Sequence, residues 1–137
     1  MNGTTIAIQV EVFVPVDKVW KCWTSPEDIK QWNNASDDWH TPHAKSDLKK
    51  GGKFVYRMEA RNGSMGFDFG GTYTEVIPNK LISYTLDDDR KAIIEFRAHK
   101  DKTTIIETFE AEQTNPIEMQ RDGWQSILNN FKRYVEK

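Results

Sequence analysis

Two glutamates stand where strand patterning would turn them toward a core. Glu107 falls between Ile105 and Phe109 on one phase of an alternating run, and Glu75 follows Phe69 and Tyr73 on another. A carboxylate taken out of water without a partner is costly, so such a group acquires a base, keeps its proton, or awaits a polar atom of a ligand. Glu107 is therefore both a candidate binding group and a candidate catalytic acid or base. The catalytic role requires contact with substrate and a pKa near the working pH. The ordinary alternatives are a strand end from which the side chain reaches solvent, or a pair with Arg57, Arg97 or another base. Glu75 lies close to the turn at Pro78 and fits the first of these better than Glu107 does.

The remaining reactive residue types read more plainly. His40-Thr41-Pro42-His43 beside Asp37-Asp38 offers imidazole and carboxylate, which suit a metal. One short pair of histidines around a proline does not bring together the three or four ligands a metal needs, so neither a metal nor a cofactor is expected. Cys22, between Lys21 and Trp23, has no histidine beside it and reads as a buried thiol. Asp87-Asp88-Asp89 lacks the glycine and distal glutamate of a calcium loop and reads as a solvated turn. No phosphate-cradling glycine loop, nucleophile elbow or triad order occurs.

The elements that must position these groups follow from periodicity. Thr5 to Val14 alternates as a half-buried strand ended by Pro15. Asp17 to Trp23 switches to helical spacing, and Ser25-Pro26-Glu27-Asp28 reads as the capped start of a second short helix carrying Ile29 and Trp32. Asn33 to Lys50 is polar and irregular and reads as a long loop, with Trp39 and His40 placed to border an entrance. From Gly52 to Ala111 short strands follow one another through turns at Asn62-Gly63, Pro78-Asn79, Asp87 to Asp89 and around Asp101. Such connections are too short for helical crossovers, which excludes a parallel, doubly wound sheet.

The chain then enters a long helix, Pro116 to Glu136, with Asn115 as cap and Glu118 bonding back. Trp124, Ile127, Leu128, Phe131, Tyr134 and Val135 form its apolar face. Gly123 interrupts it and needs a reason: close helix–sheet contact is the leading account, room for a ligand the other.

The order gives an α+β fold in one domain over residues 1–137, with helices against one face of an antiparallel sheet. Only 37% of residues are apolar, but seven Phe, five Trp and four Tyr supply enough large buried surface for a core. A net charge of −2 provides no field for nucleic acid or anionic membrane, and the basic stretch Lys45, Lys49, Lys50 and Lys53 lacks interleaved aromatics. The single cysteine, with neither a signal-like leader nor an apolar span, leads to an expectation of a reducing cytoplasm.

Positions distributed along this order resemble the SRPBCC or START-like superfamily, in the branch similar to activators of the ATPase of the ninety-kilodalton heat-shock chaperone. They are Val19-Trp20, Trp23-Thr24, Pro26-Glu27, Ile29 and Trp32; Gly51-Gly52 with Phe54; Gly71, Tyr73, Glu75-Val76 and Pro78 with Ile82 and Tyr84; and Gly123-Trp124 with Leu128 and Phe131. The resemblance spans nearly everything from Ile6 to Tyr134. It implies a helix-grip fold, also called Bet v 1-like, in which a curved sheet wraps a C-terminal helix and leaves a mainly apolar cavity. Fold does not fix function, and the shared property of such proteins is the cavity.

The lining expected there is Trp124, Leu128 and Phe131 from the helix, with Tyr56, Met58, Phe69, Tyr73, Tyr84, Phe96, Glu107 and Phe109 from the strands. The leading expectation is a carrier or sensor, monomeric or weakly dimeric, of a small hydrophobic molecule. A cyclase or aromatase-type enzyme using Glu107 is the first alternative. A co-chaperone-like protein-binding module, without the separate N-terminal chaperone-binding domain of the eukaryotic co-chaperones, is the second.

Overall fold

The computed structural model describes residues 4–137. In chain order it contains β1 (Thr5–Val12), α1 (Val16–Thr24), α2 (Pro26–Trp32), β2 (Trp39–Ser46), β3 (Lys53–Ala60), β4 (Gly66–Ile77), β5 (Leu81–Leu86), β6 (Lys91–His99), β7 (Lys102–Glu110) and α3 (Ile117–Val135). The strands form one antiparallel sheet in the order β1-β7-β6-β5-β4-β3-β2, curled into a half-barrel. Period-two burial makes one face of it apolar: Ile6, Ile8 and Val12 of β1, Ile94 and Phe96 of β6, and Ile105 and Phe109 of β7 all point inward.

Strand β4 runs close to both of its neighbours at its paired glycines. A Cβ on Gly71 would lie 2.4 Å from the Thr85 carbonyl oxygen, and one on Gly70 2.8 Å from that of Phe54. Only glycine lets these backbones approach so closely. Past Tyr73 a bulge shifts the pairing with β5, so Val76 instead of Glu75 meets the core. Glu75 is exposed, and the alternation that would have aimed it inward is broken by one inserted residue.

Residues 39–46 correct the expectation of a loop. Trp39 and His40 open β2, which pairs antiparallel with β3 and forms the sheet edge. Pro42 argues against a strand in sequence because it cannot donate to a ladder. An edge position tolerates it, and the pairing shifts between His40 and His43 around it.

Helix α3 begins at Ile117, one residue later than the spacing predicts, and no side chain caps it. Its entry is held instead by Gln120, whose Oε1 accepts from the Glu112 N–H at 2.8 Å while Nε2 donates to the Asn115 carbonyl at 2.7 Å. Asn115 is engaged with the Glu112 carboxylate and is not the cap. Ser25 likewise makes no capping bond to α2, although Pro26 stands in the first turn as expected. Leu128, Phe131 and Val135 of α3 are buried, each worth roughly 1.5–3 kcal/mol of transfer free energy.

The helix lies against β1, α1 and α2, and its backbone does not come comparably close to β3, β4 or β5. Asn130 Nδ2 donates to the Trp32 carbonyl at 2.8 Å, Lys132 Nζ to that of Glu11 at 2.8 Å, and the Tyr134 hydroxyl to Asp28. This lean toward one side of the half-barrel leaves space on the other.

Candidate functional site

That space is a cavity of about 170 Å³. Strands β3 to β5 supply one wall through Phe54, Tyr56, Met58, Phe67, Phe69, Tyr73, Ile82 and Tyr84, and β7 contributes Glu107. Trp124 and Ile127 of α3 close the opposite side, and Trp23, Thr24, Trp32 and Asn33 of the α1–α2 segment close the end. Phe67 is 47% exposed and marks the rim.

The rings brace one another. Phe54 lies 5.0 Å from both Tyr73 and Tyr84 by ring centroid, Tyr56 stacks on Phe69 at 6.3 Å, and Phe69 meets Trp124 edge-on at 6.0 Å. Trp124 itself is fixed by parallel stacking on Phe109 at 3.7 Å. The Trp32 indole donates to the Cys22 carbonyl at 2.9 Å, which locks that ring at the cavity end.

Polar groups here fall into two sets. The Tyr73 hydroxyl is 2.7 Å from the Ser46 hydroxyl, with the Tyr56 hydroxyl as its other neighbour. Burial pushes the pKa of Tyr56 well above the usual phenol value. Glu107 and Tyr84 form the other set, and neither receives a hydrogen bond or ion pair among the described residues. Glu107 is the one polar side chain in a cross-strand row that otherwise reads Val76, Ile82, Ile94 and Ile8. Burial alone raises its pKa to about 8. Tyr84, on the adjacent row, is pushed well above its usual value by burial and then by the nearby Glu107 charge. Since no fully sealed side-chain oxygen lacks a partner, the free oxygens of both residues face the open space of the cavity.

Of the residues expected in the lining, Tyr56, Met58, Phe69, Tyr73, Tyr84, Glu107 and Trp124 meet around this cavity. Phe96, Phe109, Leu128 and Phe131 do not and belong to the solid core. Phe96 packs edge-on against Trp20 and Trp23, and Phe131 against Trp23 and Trp32. Both are walled off by tryptophans of the short helices. Phe109 lies behind Trp124, and Leu128 is fully buried. Trp39 is outside the lining but 6.1 Å from the rim residue Phe67. His40 faces Glu59 at 3.8 Å, and Glu59 is held by Arg57 at 2.8 Å.

Sequence reasoning missed Phe54, Phe67, Ile82 and Ile127, although Phe54 shares a phase with Tyr56, and Phe67 with Phe69. It also missed Trp23, Thr24, Trp32 and Asn33, whose part depends on how the short helices dock.

The model of the activator of Hsp90 ATPase homolog 1-like family matches residues 14–136. The chain belongs to that family. An AHSA1-like protein from Aeromonas hydrophila, solved in solution, is 42% identical with a TM-score of 0.91, covering 97% of this chain and 92% of its own. Chr148 from Cytophaga hutchinsonii is 50% identical with a TM-score of 0.85, covering 98% and 93%. NE0264 from Nitrosomonas europaea, at 20% identity and a TM-score of 0.81 over 96% and 94%, shares the fold. None of the curated proteins matches. Family membership supports a ligand-binding or co-chaperone-like module of helix-grip fold. Among the described residues, no helix of this AHSA1-like chain is long and apolar enough to cross a membrane.

Proposed function

We propose that this AHSA1-like chain, acting as a single domain, binds or carries a small, largely apolar molecule in the cavity between β3–β5 and α3. The observation that carries this reading is the pair Glu107 and Tyr84, both without a partner and both facing a cavity walled by aromatic rings. Oxygens that open onto such a cavity are placed to meet a ligand's polar atom. A cavity of about 170 Å³ is near the size known to admit a single benzene ring and below that of drug-sized pockets. The free, buried Cys22 suits a reducing cytoplasm. NMR titration with single-ring compounds tests the reading: shifts should concentrate on the indole N–H groups of Trp124 and Trp32. Changes confined to exposed residues such as Phe13 would refute it.

An enzymatic reading has one observation in its favour, the Glu107 pKa near 8, which suits proton transfer close to neutral pH. Glu107→Gln should then abolish turnover of an identified substrate, and undiminished turnover rejects the role. The family itself supports a chaperone partner. Stimulation of a purified chaperone ATPase is the assay, and no stimulation at saturating protein discards that reading.

A further inference from the structure

We infer that the occupant of the cavity is a cation, a small ring-bearing amine whose ammonium group pairs with Glu107 inside the aromatic walls. This rests on the reading of the cavity as a ligand site and adds the sign of the charge that enters it.

The argument begins with what faces Glu107. Its cross-strand neighbours Ile8 and Ile94 are aliphatic, α3 offers Trp124 and Ile127, and α1 and α2 offer Trp23 and Trp32. The titratable groups on this side are the hydroxyls of Tyr84, Tyr73 and Tyr56, none of them a cation. Among the described residues, no Lys, Arg or His lines the cavity. Arg90 approaches Tyr84 but is bound to Asp88 at 2.8 Å and does not line the cavity. The chain itself thus supplies no cation for this carboxyl, and an ammonium that pairs with its ionised form would come with the ligand. A carboxylate or phosphate ligand would instead bury a second negative charge beside the first, with nothing to neutralise either.

The walls act in the same direction. Aromatic rings make up much of the wall, and an ammonium is attracted to any ring face left open to it, most when desolvated. The volume inside the rim holds about one ring. Proton exchange accompanies binding. With a pKa near 8 the empty site keeps its proton at neutral pH, and pairing with an ammonium expels it. Affinity should rise as pH approaches 8 and level off beyond, until the amine itself loses its proton.

Benzylamine, benzyl alcohol and benzoate share one ring and differ in charge, so calorimetric and NMR titrations with these three test the inference. Wild type should bind benzylamine at least about tenfold more tightly than benzyl alcohol, with benzoate weakest. Calorimetry in buffers of different ionisation heat should show proton release on amine binding below pH 8. Glu107→Gln should bring the amine down to the level of the alcohol. Equal affinity of wild type for amine and alcohol, an amine preference that survives Glu107→Gln, or preferred binding of benzoate each overturns the inference. In those cases carriage of a small molecule still stands if the bound probe shifts Trp124 and Trp32. Failure of all three probes to bind removes both readings.

Discussion

The two halves of α3 meet unlike surroundings, although one amphipathic stripe serves both. From Leu128 to Val135 the apolar face is sealed: Leu128, Phe131 and Val135 are at most 1% exposed and belong to one core with Ile6, Val12 and Ile105. Around Gly123 to Ile127 the same stripe faces rings of β3, β4 and β5 across a cavity, and every residue there is only half-buried. In the sealed half, rings and branched aliphatic side chains interdigitate, Phe131 lying edge-on against Trp23 and Trp32, and gaps close to crystal-like density. Large flat rings tethered to a curled sheet cannot all meet a helix that leans toward β1, and the room left over collects Glu107 and Tyr84. Apolar periodicity thus specifies that a face is covered, and how near the partner element docks decides whether the cover is tight.

The sharpest way to break this contrast is to truncate one ring on each side. Phe131→Ala should cost about 3–5 kcal/mol, because every atom removed leaves a void in a filled region. Phe69→Ala should cost about 2 kcal/mol, since Phe69 is half-buried and already borders open space. Urea denaturation of the two variants gives the comparison directly. Equal losses would mean that the cavity wall is as tightly packed as the core.

Glu107 supplies a second contrast, in pH. Its folded pKa of about 8 lies above the ordinary value of 4.5, so between those values the folded chain keeps a proton that the unfolded chain has released. Stability from this group must then fall as pH rises from about 4.5 to about 8, and stay level above. The effect is on the order of 3 kcal/mol, with water entering the cavity trimming the full value of such a shift. Glu107→Gln removes the slope, so the variant should match wild type near pH 4 and exceed it near pH 9 in chemical denaturation. Parallel curves for the two proteins would show that Glu107 is solvated or paired.

Legibility in the sequence follows the same division. The strand alternation of β1, β5, β6 and β7 and the stripe of α3 were readable because a single period runs unbroken through each. Where a period breaks, reading fails for a local reason. Thr74 is the extra residue of the β4 bulge that turns Glu75 outward, and Pro42 disguises an edge strand as a loop. The cavity was half legible. Phases of β3 and β4 placed Tyr56, Met58, Phe69 and Tyr73, but whether Phe96 or Phe131 reaches the same space depends on where Trp20, Trp23 and Trp32 dock. Docking of short helices is long-range information that no local window contains.

Within the cavity wall, two tyrosines facing each other across β4 and β5 should respond differently to loss of their hydroxyls. Tyr73→Phe removes a partner of Ser46 and should cost about 1 kcal/mol. Tyr84→Phe removes a hydroxyl with no partner and should leave stability unchanged, or raise it slightly, in the same denaturation assay. A loss at Tyr84 equal to that at Tyr73 would mean that an ordered partner satisfies it.

Gly123 tests the hollow side most gently. Close helix–sheet contact would explain a glycine here, but a Cβ built at this position meets no atom within 4 Å. Packing therefore gives no reason to exclude a side chain, and the helix bears the conformational cost of glycine unrelieved. Gly123→Ala should raise stability by about 0.5–1 kcal/mol, read as a shift in denaturation midpoint with unchanged slope. Gly123 itself does not line the cavity, so single-ring probes should bind more weakly only if the open space beside it joins the ligand's space. Opposite signs in those two measurements would place the glycine in service of the cavity. Unchanged binding in a more stable fold would mean that the open space at Gly123 lies off the path a ligand takes.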